Sequence, residues 1–257
     1  ALNYALNGGI RSGGFYCFSG PESSGKSFLA LSCVAQLLRK NPEGVVFWFD
    51  VEKSFSEHFA KVLLTPDEYE RCVIKRCDFG SDIFDYFENT ILGLIDEGLN
   101  VVGCVVDSLQ AIIPPKELNA KSTDDHLMGD LSSYLPKAMR KILKGSRARL
   151  NDEYQGVPWI FISQVRLNFD PTAVMRGEKY SSTGGKAFDH FIDVKLLLEP
   201  IKSKKSRVVD DSQMNMNDTA IQIGHHVRAK VTKNKYGSPD RVVEFTLLYD
   251  YGIVNQH

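Results

Sequence analysis

Short unbroken apolar runs alternate along this chain with longer stretches in which apolar residues return every third or fourth position. Residues 14–19, 45–50, 101–108 and 159–164 are runs of the first kind, the mark of strands covered on both faces. Residues 73–77 form a weaker one. Residues 28–38 and 82–98 are of the second kind, and the latter carry Ile83, Phe84, Phe87, Ile91, Leu94 and Ile95 as one helical stripe. Residues 54–64 and 127–150 also predict helix, with Pro136 marking a first turn or a kink. Asn41-Pro42-Glu43-Gly44 stops the first long helix. Three late strands are expected at 194–198, 226–233 and 241–249. Polar segments at 114–125 and 165–183 predict long loops, and 202–219 a mobile stretch. No internal repeat is evident.

Strands alternating with helices imply an α/β fold: a mostly parallel, twisted central sheet flanked by helices, with antiparallel late strands. Ligands of such sheets sit beyond the carboxyl ends of the strands, so the chemistry is expected along that edge. The chain has 257 residues, enough for one sizeable core. Its 31 Lys and Arg against 32 Asp and Glu leave a net charge of −1, so no global basic excess advertises nucleic acid. Cys17, Cys33, Cys72, Cys77 and Cys104 form no C-x-x-C pair and read as reduced, mostly buried thiols of a cytoplasmic protein. No apolar run approaches the roughly 20 residues that cross a bilayer, and no signal peptide is recognisable, so no membrane partner is expected.

The candidate chemistry centres on Gly20-Pro21-Glu22-Ser23-Ser24-Gly25-Lys26-Ser27, a complete G-x-x-x-x-G-K-[ST] phosphate loop. It lies between a predicted strand and the helix opened by Phe28, the context the motif requires. Its glycines let backbone N–H groups converge on phosphates, and the helix N-terminus adds a favourable field. Lys26 would reach the terminal phosphates of ATP, and Ser27 would ligate Mg²⁺ through its hydroxyl. Asp107, closing an apolar strand, fits an acid that holds Mg²⁺ through bound water. Glu52 fits the group that activates the attacking water. Asp50 lies two residues away on the same strand face, so the pattern leaves the division of labour between these acids open. Gln164, at the end of the fourth strand, would hydrogen-bond the terminal phosphate and report it to the following loop. Arg166, Arg176, Lys179 and Lys186 make that loop a candidate for binding a phosphate backbone.

The phosphate loop resembles that of bacterial RecA recombinases. So does the ordered set Asp50-Val51-Glu52, Val105-Val106-Asp107-Ser108-Leu109, His126-Leu127-Met128-Gly129 and Lys137-Ala138-Met139-Arg140-Lys141, continued by Ser163-Gln164-Val165-Arg166, Ser182-Thr183-Gly184-Gly185-Lys186-Ala187 and Lys233-Asn234-Lys235. The match runs over nearly the whole chain in the family's order, and a phage-encoded or divergent bacterial member is expected. The resemblance implies a RecA-like ATPase core over 1–257. It also implies that the family's amino-terminal docking segment and carboxy-terminal domain are not within this sequence.

By the same resemblance the function is a DNA-dependent ATPase that forms filaments on single-stranded DNA and exchanges strands with a homologous duplex. ATP would lie between adjacent protomers, with Glu52 and Gln164 in the roles above and Lys233 and Lys235 reaching the neighbour's phosphates. Segments 114–125 and 165–183 correspond to two DNA-binding loops. Arg166 would touch DNA phosphates, and Leu167, Phe169, Val174 or Met175 would wedge between bases. The Gly184-Gly185-Lys186 end is included with the DNA-binding residues. Adenine would rest near Phe59 and against Tyr249 or Gly252. His190 departs from the family, which has phenylalanine there. A hexameric helicase built on the same core, or a regulatory RecA-like paralogue, are the alternatives.

Overall fold

A computed structural model of the chain describes residues 2–118, 130–147, 156–168, 172, 175, 180–181, 183–201, 207–214 and 220–255. Its strands are β1 (Phe15–Gly20), β2 (Val45–Asp50), β3 (Cys72–Arg76), β4 (Val101–Asp107), β5 (Trp159–Gln164), β6 (Arg166–Leu167), β7 (Tyr180–Ser181), β8 (Val194–Pro200), β9 (Arg207–Met214), β10 (Ala220–Asn234), β11 (Val242–Leu248) and β12 (Gly252–Asn255). Its helices are α1 (Leu2–Ala5), α2 (Lys26–Lys40), α3 (Glu57–Leu63), α4 (Pro66–Glu70), α5 (Asp82–Tyr86), α6 (Leu92–Asp96), α7 (Pro115–Leu118), α8 (Asp130–Arg147) and α9 (Gly185–Phe191). A π-helical turn, Phe87–Ile91, joins α5 to α6.

One sheet runs β12-β11-β10-β8-β1-β5-β4-β2-β3, with β9 paired to β10. The six strands from β8 to β3 are parallel, and β10, β11 and β12 extend them antiparallel. The unbroken apolar character of β1 follows from burial on both faces. Strand alternation sends Tyr16, Phe18, Trp48 and Ile160 to the α2 face, where Leu31, Val34 and Leu38 meet them. It sends Phe15, Cys17, Phe49, Trp159 and Phe161 to the α5–α8 face, against Ile83, Phe87 and Ile142. Trp159 stacks between Phe49 and Phe161 at 6.1 and 5.8 Å and takes the Phe87 ring edge-on at 4.9 Å. Such pairs add roughly 0.5–1.5 kcal/mol each beyond the area they bury. Among the described residues no helix is long and apolar enough to cross a membrane.

The parallel register decides the site. Gly20 stands beside Gln164, and Asp50 beside Asp107. The phosphate loop, both strand-end acids and the strand-end amide therefore share one edge, as the expected topology requires.

Several expectations need correction. Segment 165–183 is not wholly loop: Arg166 pairs with Ser181 and Leu167 with Tyr180 in a two-stranded antiparallel ribbon. The stretch 202–219, expected to be mobile, contains β9, which pairs with the overlong β10. Polar side chains hid this strand because β9 lies off the main path of the sheet. Pro136 opens no first turn; it sits in the interior of α8, which runs on to Arg147. Arg147, the last residue of α8, bonds Asp193 and the Gly13 carbonyl. The sequence pattern missed α1, α4 and the edge strand β12. Of the expected loop 114–125, residues Pro115–Leu118 form the short helix α7, and residues 119–125 lie outside the described residues.

Candidate functional site

The phosphate loop turns between β1 and α2 through two left-handed residues, Ser23 at φ 57° and Gly25 at φ 85°. Residues so placed let neighbouring N–H groups converge on an anion. Gly25 caps α2 without a side chain, and a Cβ there would come within 2.7 Å of Leu247 Cδ1. The backbone angle favours glycine here, and a side chain would also have to displace the Leu247 methyl. Lys26 lies across the loop, its Nζ donating to the Pro21 carbonyl at 2.7 Å. Burial holds its pKa below the usual lysine value, opposed by the charges of Asp107, Glu52 and Glu22. A cavity of about 350 Å³ opens over the loop, lined by Glu22, Ser23, Lys26, Ser27, Glu52, Asp107, Ser108, Ile162 and Gln164. A larger hollow of about 450 Å³ on the outer side of α2 is lined by Gly252, expected near the adenine, but by none of the residues of the phosphate loop or the strand-end acids.

The acids have distinct surroundings. Asp107 is buried at the end of β4 and accepts a hydrogen bond from Ser27. Burial pushes its carboxyl up to about 6; Glu52 and Asp50 push the same way, while Ser27 and Lys26 oppose. Asp50 is also buried, but its oxygens accept the backbone N–H groups of Ser54 and Phe55 at 3.0 and 3.2 Å. It therefore braces the turn into α3 and does not line the cavity. Glu52 is exposed, lines the cavity and accepts a hydrogen bond from the Ser108 hydroxyl. The tertiary structure thus separates two carboxylates that strand alternation left equivalent.

The residues present suit ATP and Mg²⁺. The loop offers converging donors and an ammonium, and the buried Ser24 hydroxyl has no hydrogen-bond partner among the described residues. A Cβ on Gly20 would meet the Leu198 carbonyl and Ser24 Oγ, so side-chain bulk is excluded beneath the loop. No group of three or more His, Cys, Asp or Glu forms a metal cluster among the described residues. That fits a metal arriving with phosphate oxygens, for which Ser27 and Asp107 supply only part of the shell.

Two further residues shape this site, and the sequence pattern assigned neither of them a role. Ser108 orients Glu52. Gln110 sits in a 3₁₀ turn, Leu109–Ala111, after β4. Its Nε2 donates its two hydrogens to the Gln164 carbonyl and to Thr183 Oγ1 at 2.6 Å, and Ser163 Oγ lies 3.2 Å from the same nitrogen. Nothing in an isolated Leu-Gln-Ala distinguishes this amide, because its partners are more than fifty positions away.

Other candidates fall around the cavity. Phe28 is buried in α2 and takes the Phe59 ring edge-on at 5.4 Å. The Tyr249 hydroxyl accepts from Gln222 Nε2 at 2.9 Å. Tyr249 follows β11 at the cavity edge of the sheet, but neither it nor Phe59 lines the cavity. Arg166 and Lys186 are exposed, Leu167 is 57% and Met175 88% exposed, and Gly184 takes φ 90° over Phe188. Arg176, Lys179, Phe169 and Val174 lie outside the described residues.

Lys233 and Lys235 break the common-edge expectation. Asn234 is in register with Val194, and Val194 starts β8, so both lysines lie at the amino-terminal edge of the parallel strands. Lys233 donates to the Asp189 carbonyl; Lys235 pairs with Asp193 at 2.9 Å and donates to the His190 carbonyl at 3.1 Å. A strand length, roughly 15–20 Å, separates them from their own phosphate loop.

Three comparisons agree with this architecture. The family model described as the RecA N-terminal domain matches residues 1–254. The Protein RecA of Azospirillum lipoferum (strain 4B) is 33% identical over 255 residues, covering 98% of this chain and 62% of that protein. The Protein RecA of Leptospira meyeri is 30% identical over 254 residues, covering 98% of this chain and 57% of that protein. The chain thus spans about three fifths of the length of these curated relatives. A crystal structure of the RadB recombinase superposes with a TM-score of 0.65 at 18% identity, covering all of this chain and 96% of that one.

Proposed function

The chain belongs to the RecA family, and on that premise we propose that it is a DNA-dependent ATPase. We infer that it forms filaments on single-stranded DNA and pairs that strand with a homologous duplex. The observation that carries the reading is the cavity in which Lys26, Ser27, Glu52, Asp107 and Gln164 converge over the phosphate loop. Hydrolysis of a triphosphate needs a phosphate cradle, a hydrated divalent ion and a group that orients water. Bound Mg²⁺ would neutralise charge developing on the phosphate oxygens. Ser27 and Asp107 are the residues to hold it, the acid through water. Lys26 binds the terminal phosphates. Glu52, fixed by Ser108, takes the proton from the attacking water. Gln164 donates to the terminal phosphate and marks its presence at the start of the 165–183 segment.

DNA contact is assigned to that segment. Exposed Arg166 and Lys186 are the phosphate partners, Leu167 and Met175 the apolar ones, and Gly184 and Gly185 stand at its end, where α9 begins. Arg176 and Lys179 join them on sequence grounds. Lys233 and Lys235, remote from their own loop, are assigned to the triphosphate of an adjacent protomer in the filament. Phe59 and Tyr249 are assigned to the adenine side.

The test is ATP hydrolysis by the chain with and without single-stranded DNA, together with electron microscopy. Stimulation by the strand and helical filaments support the reading. Closed rings point to a helicase, and ATP binding without stimulated turnover points to a regulatory paralogue.

A further inference from the structure

We propose that Gln110 is a positioning residue that couples the strand end at Gln164 to the 165–183 segment by pinning both ends of that segment with one amide. The proposal rests on the DNA-dependent ATPase reading given above. Buried Leu109 anchors the 3₁₀ turn and aims the next side chain across toward the end of β5. There the Gln110 amide meets Ser163 Oγ, the Gln164 carbonyl and Thr183 Oγ1. Only the nitrogen end can face the Gln164 carbonyl, because two carbonyl oxygens at that separation repel. The amide oxygen finds no donor among the described residues. The two N–H bonds, one to each end of the segment, and not the oxygen, account for an amide at this position.

The junction has a definite topology. Gln164 is the last residue of β5, and Val165 opens the polar segment. Thr183 closes it, ahead of Gly184 at φ 90° and the start of α9. The β6–β7 ribbon brings these two ends together, and Gln110 clasps both. Gln110 also follows Asp107 and Ser108 by only a few residues, and those two touch Ser27 and Glu52. One short turn therefore links the metal-side acid, the group that orients water, the phosphate-facing strand end and the base of the DNA-binding segment. A shift of Gln164 toward a phosphate draws on the same hydrogen bonds that hold Thr183. The segment is then re-set at both ends at once instead of swinging from one.

The test uses Gln110→Met, which keeps the length and bulk of the side chain and removes its N–H donors. Affinity for a fluorescein-labelled oligodeoxythymidine is measured by anisotropy on the full chain, with Mg²⁺ and either ADP or a non-hydrolysable ATP analogue. The readout is the ratio of the two affinities. A coupling of about tenfold in the wild type should fall toward one in Gln110→Met. A purely structural role would weaken binding in both nucleotide states alike and leave the ratio standing. A wild-type ratio retained in the variant overturns the inference alone. A wild-type ratio of one overturns the functional reading and this coupling with it. Should Gln110→Met not fold, Gln110→Glu has the same shape and sets an acceptor against the Gln164 carbonyl; a retained ratio there is equally fatal.

Discussion

Asp107 is held in a state that favours its proposed task over stability. Burial raises its folded pKa to about 6 from an ordinary 3.8. Between those values the folded chain binds more protons than the unfolded one, so stability falls as pH rises through that window. The cost is absent below the ordinary value and complete above about 6. Asp107→Asn should therefore raise stability at about pH 7.5, on the order of 1–3 kcal/mol, while abolishing ATP turnover. The gain should shrink as pH is lowered through the window. Equal unfolding midpoints for the two proteins near neutral pH would show that the charge costs nothing. Asp50 and Glu52 make a second contrast. Asp50→Ala leaves two N–H groups without their acceptor and should lose roughly 2–3 kcal/mol in urea unfolding. Exposed Glu52→Gln should change stability by no more than about 0.5 kcal/mol yet slow hydrolysis by about 10²–10⁴-fold with nucleotide binding kept. Reversal of that pattern would exchange the roles of the two acids.

At the scale of elements, α8 is tied to the sheet by one buried polar contact amid apolar packing. Trp159 Nε1 donates to Ser146 Oγ at 2.8 Å, and both residues are fully buried. That bond fixes the last turn of α8 against the first residue of β5, the strand that ends in Gln164. Ser146→Ala strands an indole N–H in the core and should cost about 1–3 kcal/mol, seen as a lower urea midpoint at unchanged slope. No loss would mean that another group reaches the indole when the serine is removed. A second tie lies one residue on, where Arg147 and Lys235 share buried Asp193, which also accepts the Phe15 N–H at 2.9 Å.

For the whole molecule, the separation of the lysines from the phosphate loop carries a prediction about assembly. If each ATP needs the loop of one protomer and the lysines of the next, the interface is heterologous and repeats head to tail. Lys26→Ala and Lys233→Ala should then each lose DNA-stimulated hydrolysis when alone. Lys233 is the better choice of the pair, since removing Lys235 would also take one of the two cations from buried Asp193. In an equal mixture of the two variants, roughly a quarter of random interfaces hold an intact loop facing an intact lysine, so turnover should return to about that fraction. A mixture as inactive as its parts would place the lysines' work within a single protomer.

The sequence by itself determined the parallel core of the sheet and the motif residues at its carboxyl edge. Continuous apolar runs such as 45–50 and 159–164 are too short for buried helices and bounded by turn residues, which reads them as strands covered on both faces, and the phosphate loop declares its chemistry through local spacing. Beyond that, alternation put Asp50 and Glu52 on one side of a strand and could go no further. Tertiary structure decided that Asp50 braces a turn while Glu52 faces the cavity, because the backbone it braces bends back only in the folded chain. It likewise decided that β9 is a strand, that Lys233 and Lys235 stand at the opposite edge, and that Gln110 joins segments remote in sequence. Each of these depends on pairing between distant positions, and long-range register leaves no periodic trace in the residues themselves.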